Sequence, residues 1–107
     1  QRKNNEALTI TGDGQQRRDF THVDDIVDGL IKCGIDLIEE DNSKANGKTF
    51  ELGRGVNYSI NEVAKIFGGE KKYIPSKKGE TRDTLCVDLK ASELLNWKPK
   101  RNLEDYI

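Results

Sequence analysis

Between positions 23 and 38 the apolar residues Val23, Ile26, Val27, Leu30, Ile31, Ile35 and Ile38 return at three- and four-residue intervals. That is the repeat of one apolar helical face. Thr21 with Asp24 three positions later has the form of a capping box with a shortened acid. The period changes on either side of this helix. Leu8-Thr9-Ile10-Thr11 alternates as a strand does, and Gly12-Asp13-Gly14 turns the chain after it. Beyond a polar loop from Glu39 to Lys48, Thr49-Phe50-Glu51-Leu52 reads as a second strand, ended by Gly53-Arg54-Gly55. Ser59-Ile60-Asn61-Glu62 is a full capping box ahead of Val63, Ala64, Ile66 and Phe67, and Gly68-Gly69 stops that helix. Lys72-Tyr73-Ile74 and Thr84 to Val87 read as short extended runs. Asp88 is placed to cap a helix through Leu94-Leu95, which Asn96 and Pro99 stop, and Asn102 with Asp105 opens one more. The pattern predicts an α+β lobe with a few short strands and three to four helices.

Composition narrows what such a lobe does. Its 107 residues make one small domain, and 35% of them are charged. Either much of the surface is solvated, or apolar surface that would complete the core comes from elsewhere. The 18 basic and 19 acidic residues nearly cancel, which leaves no electrostatic footprint for nucleic acid or an anionic membrane. No apolar run approaches the roughly 18 residues of a membrane span, and Gln1 to Asn5 lacks a signal-peptide core, so the expected compartment is the cytoplasm. Cys33 and Cys86 have no paired spacing and read as reduced thiols. A single His and no close Cys pair argue against a metal site. The last helix starts and then runs out at Ile107, and the amino end has no start signal, so residues 1–107 are expected to be cut from a longer protein at both ends.

The stretch from Gly12 to Leu30, which opens Gly-Asp-Gly-Gln-Gln-Arg-Arg-Asp-Phe-Thr-His-Val-Asp-Asp, is the most informative. It closely resembles the signature of extended short-chain dehydrogenase/reductases that act on sugar nucleotides: Gly-Asp-Gly, two or three residues, Arg-Asp-Phe, then Tyr or His-Val-x-Asp. Three later segments resemble that family in the same order. They are Phe50-Glu51-Leu52-Gly53 with Ser59-x-x-Glu62-Val63, the loop Pro75-Ser76-Lys77-Lys78-Gly79-Glu80, and Asp88 through Trp97-Lys98-Pro99. The resemblance covers nearly the whole chain. It implies the carboxyl-terminal, substrate-binding lobe of an NAD-dependent sugar-nucleotide epimerase or dehydratase, detached from its Rossmann-type cofactor domain.

For the site, the resemblance implies Arg18 on the diphosphate, Lys77 as a second phosphate contact and Glu80 on the ribose. A guanidinium grips phosphate oxygens in a planar fork and a carboxylate accepts from hydroxyls, so these residue types suit those tasks. Lys77 stands where the family has Arg and Glu80 where it commonly has Asp, and Arg82 is a candidate for the missing fork. The stretch from Gly79 to Asp88 is one residue longer than usual. Plainer readings stand beside these: Arg18–Asp19 as a surface pair, and Lys77–Lys78 as a solvated turn. Gly53-Arg54-Gly55 and Tyr58 read equally as turn geometry and as substrate contact. Asp24 and Asp25 read as acids on the helix dipole, His22 as a packing residue, and Trp97 with Pro99 as a packed corner.

Catalytic and cofactor residues are expected to be absent from this chain. No glycine-rich phosphate loop follows a strand, so NAD is expected only in the complete enzyme. The family's catalytic Tyr-x-x-x-Lys spacing occurs once, at Tyr73 and Lys77, but Pro75 between them disfavours the helical turn by about 3 kcal/mol. The expected role is therefore to bind the nucleoside-diphosphate sugar of a UDP-hexose 4-epimerase. Alternatives are a GDP-mannose or dTDP-glucose 4,6-dehydratase and a free-standing binding or assembly module. A homodimer is expected, because a lone lobe leaves a strand edge and an apolar helix face uncovered.

Overall fold

The computed structural model describes residues 1–39 and 41–107. Strand β1 (Leu8–Thr11) pairs in parallel with β4 (Lys71–Ile74), and β2 (Arg17–Arg18) pairs antiparallel with β3 (Tyr58–Ser59). Three α-helices accompany them: α1 (Val23–Ile38), α2 (Ile60–Phe67) and α3 (Lys90–Leu95). This is the small mixed architecture that the pattern predicts. Short 3-10 turns lie at Arg2–Asn4 and Leu103–Tyr106, the second standing where a helix was expected from Asn102 and Asp105.

Helix α2 starts as its sequence dictates. The Ser59 side chain accepts from the Glu62 N–H at 3.1 Å, and the Glu62 carboxylate accepts from the Ser59 N–H at 2.7 Å. Helix α1 starts differently. His22, not Thr21, is its cap: Nδ1 accepts the Asp24 N–H at 3.0 Å. Thr21 is already engaged, its hydroxyl donating to Asp19 at 3.1 Å, so the cap moves on by one residue. Asp88 still serves α3, accepting the Lys90 N–H at 2.9 Å.

The apolar stripe of α1 faces away from the rest of the chain, as expected of a lone lobe that leaves this helix face uncovered. Val23, Leu30, Ile31, Ile35 and Ile38 are each more than half exposed, and the buried residues of the helix are Asp25 and Gly29. The opposite face of the helix packs closely. A Cβ on Gly29 would come within 2.5 Å of Leu52 and 3.2 Å of Trp97 Nε1, so only glycine lets α1 settle on these two side chains. Trp97 is buried in the corner predicted for it and donates from Nε1 to the Asp25 carbonyl at 2.8 Å.

Two predicted strands are absent among the described residues. Thr49 to Leu52 joins no ladder; its neighbour meets it through side chains, with Asp88 accepting the Glu51 N–H at 3.1 Å and Cys86 Sγ 3.6 Å from the Glu51 carbonyl. Thr84 to Val87 forms no strand either, the nearest pairing being an isolated bridge from Arg17 to Asp83. The apolar core is correspondingly small: Ile10, Ala45, Ala64, Ala91 and Trp97. No helix of the described residues is long and apolar enough to cross a membrane, and no group of three metal-ligating side chains occurs among them.

Candidate functional site

The end of β1, the turn after it and the loop after β4 enclose a cleft of about 350 Å³, lined by Thr11, Asp13, Gln16, Lys77, Glu80, Arg82 and neighbouring loop residues. Parallel pairing of β1 with β4 makes this convergence possible. Thr11 stands opposite Ile74, so both chains leave the sheet at the same end, and the turn at 12–14 faces the loop that begins at Pro75. Gly12 is needed here, with a positive φ of 68° and a Cβ position only 3.3 Å from Ser76. At Gly14, φ is 72° and a Cβ would strike Asn61 Oδ1, whose amide donates to the Asp13 carbonyl at 3.0 Å.

Glu80 is held at the floor. Thr11 Oγ1 reaches both of its carboxylate oxygens at 3.3 Å, and Gln16 Nε2 donates to Oε1 at 3.2 Å and to the Thr11 carbonyl at 2.9 Å. Gln16 is only 4% exposed, and a buried amide fixed on both strand and carboxylate locks the orientation of that carboxylate. Arg18 lies 3.8 Å from Glu80, and its guanidinium donates to the carbonyls of Arg17 at 2.7 Å, Thr81 at 2.5 Å and Arg82 at 3.3 Å. It thus pins the loop that carries Glu80 and Arg82. Arg82 donates in bidentate fashion to Asp13, at 2.9 and 3.1 Å. That hydrogen bond, with the Gln15 N–H, holds the Asp13 carboxyl below the ordinary Asp value and raises the Arg82 guanidinium. Lys77 lines the same cleft and has no carboxylate partner among the described residues.

Of the five residues singled out from the sequence, Lys77, Glu80 and Arg82 line this cleft and Arg18 braces it. Tyr58 does not line it. Its hydroxyl donates to Glu104 at 2.6 Å, which raises the phenol and lowers the Glu104 carboxyl. Arg54 belongs to the same region, bound to Asn102 at 2.6 Å, with Nε and Nη1 buried and without a partner. Sequence reasoning missed Thr11, Asp13 and Gln16 as site residues. Gln16 was within reach of it, because positions 16 and 18 of an extended segment share a side.

Other candidates acquire structural duties. Asp19 accepts the N–H groups of Arg54, Gly55 and Cys86 at 3.0–3.2 Å, a knot between three segments and not a surface pair with Arg18. Asp25 is fully buried and bound to Arg101 at 2.6 Å, so its part is a tether to the carboxyl-terminal arm, beyond the dipole role expected for it. His22 packs on Tyr106 with ring centroids 4.3 Å apart. Tyr73 lies on β4, its hydroxyl donating to Asn61 at 2.8 Å, and shares no helical turn with Lys77. Cys33 and Cys86 are free.

Comparison with known proteins agrees with the geometry. The family model described as GDP-mannose 4,6 dehydratase matches residues 1–107. UDP-glucose 4-epimerase of Mycolicibacterium smegmatis is 30% identical over 104 residues, which are 92% of this chain and 31% of that protein. Among solved structures, Pal from Bacillus thuringiensis superposes with a TM-score of 0.86 at 33% identity, over 97% of this chain and 33% of its own. UDP-glucuronic acid 4-epimerase from Bacillus cereus, solved in complex with UDP-glucuronic acid and NAD, gives a TM-score of 0.81 at 29% identity, over 96% of this chain and 33% of its own. The chain spans about a third of the length of the curated relatives it matches.

Proposed function

The chain belongs to the NAD-dependent sugar-nucleotide epimerase and dehydratase family of the extended short-chain dehydrogenase/reductase type, and on that footing we propose that residues 1–107 are the part that holds a nucleoside-diphosphate sugar in a UDP-hexose 4-epimerase. One observation carries this reading: residues far apart in the chain, Glu80 with Thr11 and Arg82 with Asp13, meet in one cleft that also holds an unpaired Lys77. On this reading Lys77 and Arg82 take the diphosphate oxygens, Arg18 keeps their loop in place, and the Glu80 carboxylate accepts from ribose hydroxyls. The relatives' names favour epimerisation of a UDP-sugar. The family model, described for GDP-mannose, favours 4,6-dehydration as a second reading.

On this reading NAD is not held by the residues present. After β1 the glycine turn leads into β2 and not directly into a helix, so the strand–turn–helix order of a dinucleotide loop does not occur at that turn. NAD, on this reading, is bound by parts of the relatives that have no counterpart here, and this chain alone does not turn over UDP-glucose.

Titrating the chain with UDP and with GDP, and following amide chemical shifts, tests the proposal. Shifts at 11–18 and 76–82 with a dissociation constant on the order of 1 mM, about −4 kcal/mol, are expected. Lys77→Ala weakens binding without disturbing the fold, since Lys77 makes no ion pair among the described residues, whereas Arg18→Ala weakens it by loosening the loop. Preference for UDP supports the epimerase and preference for GDP the dehydratase. A shift pattern that ignores this cleft overturns the assignment.

A further inference from the structure

Both partners of the Asp13–Arg82 pair have fixed backbones. The Asp13 carbonyl accepts from Asn61 at 3.0 Å, and Asp13 Oδ1 accepts from the Gln15 N–H at 2.9 Å. The Arg82 carbonyl accepts the Arg17 N–H at 2.8 Å, and Thr84 N–H returns to the Arg17 carbonyl at 3.0 Å. Their side chains, in contrast, are 58% and 61% exposed, whereas the Glu80 side chain behind them is 29% exposed. A rigid frame thus presents one exchangeable ion pair at the rim of the cleft. The pair spans the two walls, from the turn after β1 to the loop after β4.

Each guanidinium near the cleft faces a carboxylate, Arg82 at Asp13 and Arg18 at Glu80, so the empty site is largely self-neutralised. An arriving phosphate meets Lys77 first. To take the Nη1–Nη2 fork it must draw Arg82 away from Asp13, because those two N–H groups cannot serve both acceptors at once. An exposed carboxylate pair is a weak competitor, so the exchange is cheap but not free.

We propose that the Asp13–Arg82 pair is a latch across the rim of the cleft, opened when a phosphate takes the Arg82 fork, and that Asp13 thereby sets the affinity of the site for its anion. This rests on the reading of the cleft as a nucleoside-diphosphate site. Asp13 needs no contact with the ligand to exert the effect; it acts as a positioning and specificity residue through Arg82.

The test is a double-mutant cycle on the whole chain, with UDP and inorganic pyrophosphate as probes and amide shifts as the readout. Asp13→Asn keeps the acceptor for the Gln15 N–H while removing the charge, and Arg82→Gln leaves the backbone bonds of the loop in place. Asp13→Asn should bind each probe about two- to fivefold more tightly, and Arg82→Gln several-fold more weakly. In the Arg82→Gln background the gain from Asp13→Asn should largely vanish, the non-additivity that a released guanidinium requires. An equal gain in both backgrounds means simple charge repulsion and overturns the latch. Equal UDP affinity in wild type and both single variants overturns the latch and leaves the cleft reading standing. No binding of either probe by any variant removes the cleft reading, and the latch with it.

Discussion

Asp25 has no exposed surface, and both of its oxygens are engaged: Oδ1 with the Arg101 guanidinium at 2.6 Å, Oδ2 with the N–H groups of Lys100 and Arg101 at 3.1 and 3.0 Å. Burial pushes this carboxyl up, but the Arg101 N–H, the Arg101 guanidinium and the Lys100 N–H outweigh it, and the net shift is below 3.8. The sign of the linkage follows. A depressed folded pKa stabilises the fold above the ordinary value of 3.8 and ceases to do so as pH falls through the lower folded value. Asp25→Asn is therefore expected to cost about 3 kcal/mol at neutral pH, because it leaves Arg101 without its buried partner. Urea unfolding from pH 7 down to pH 2 checks both claims. Other acids shifted the same way, Asp36, Glu62 and Asp88, cancel in the difference between wild type and variant. That difference should shrink below about pH 4, where the wild type loses what the variant never had. A difference that stays constant across the acid limb would show that Asp25 acts through shape alone.

At the scale of elements, two glycines five residues apart in α1 carry opposite expectations. Gly34 has nothing within 4 Å of a Cβ position, so Gly34→Ala should raise stability by about 0.5–1 kcal/mol through helix propensity. Gly29→Ala meets Leu52 and Trp97 and should lower it by about 1–3 kcal/mol despite the same propensity gain. Thermal unfolding of the two variants side by side decides it, and equal shifts would deny that α1 is seated through Gly29. The contrast also explains what was legible beforehand. Local signals were enough for α2, whose capping box, apolar face and terminal glycines all lie within a dozen residues. They were enough for β1 and β4 as segments, but parallel pairing joins positions more than sixty residues apart, and periodicity carries no such information. The two-residue strands β2 and β3 are shorter than any period. The stripe of α1 was legible as one face from its spacing, and its exposure followed from reading the chain as a lone lobe. The cleft was partly legible through motif residues Arg18, Lys77, Glu80 and Arg82. Asp13 and Thr11 were hidden among turn and strand signals, and Asp19 spends its charge on three backbone N–H groups from distant segments.

For the molecule as a whole, the consequence of that exposed stripe is too much surface. A monomer of 12.1 kDa is expected to expose about 6,000 Å² and to have a radius of gyration of about 13 Å, whereas this chain exposes 7595 Å² with a radius of 17.5 Å and extents of 55 × 27 × 17 Å. The excess of roughly 1,600 Å² on one chain is about twice the 800 Å² that each partner contributes to a standard protein interface. Much of it lies along α1, where Val23, Val27, Leu30, Ile31, Ile35 and Ile38 are all between 43% and 78% exposed. Bare Gly34 sits in their midst and admits a second helix closely. In a protein three times this length other segments are available to bury the stripe; 107 residues alone have only another copy of themselves. Charged residues at 35% favour solubility and oppose unlimited growth, which points to a closed pair in preference to a precipitate. The chain is therefore expected to dimerise through antiparallel contact of the α1 stripes, with a dissociation constant on the order of 10 µM, about −7 kcal/mol. Sedimentation over a concentration series from micromolar to hundreds of micromolar measures this directly. Leu30→Lys, at a position 62% exposed, should abolish the association while leaving the helical circular dichroism intact. A species of 12.1 kDa that persists throughout the series, in wild type and variant alike, would show that the stripe stays in water and that the surface excess has no partner in a second copy.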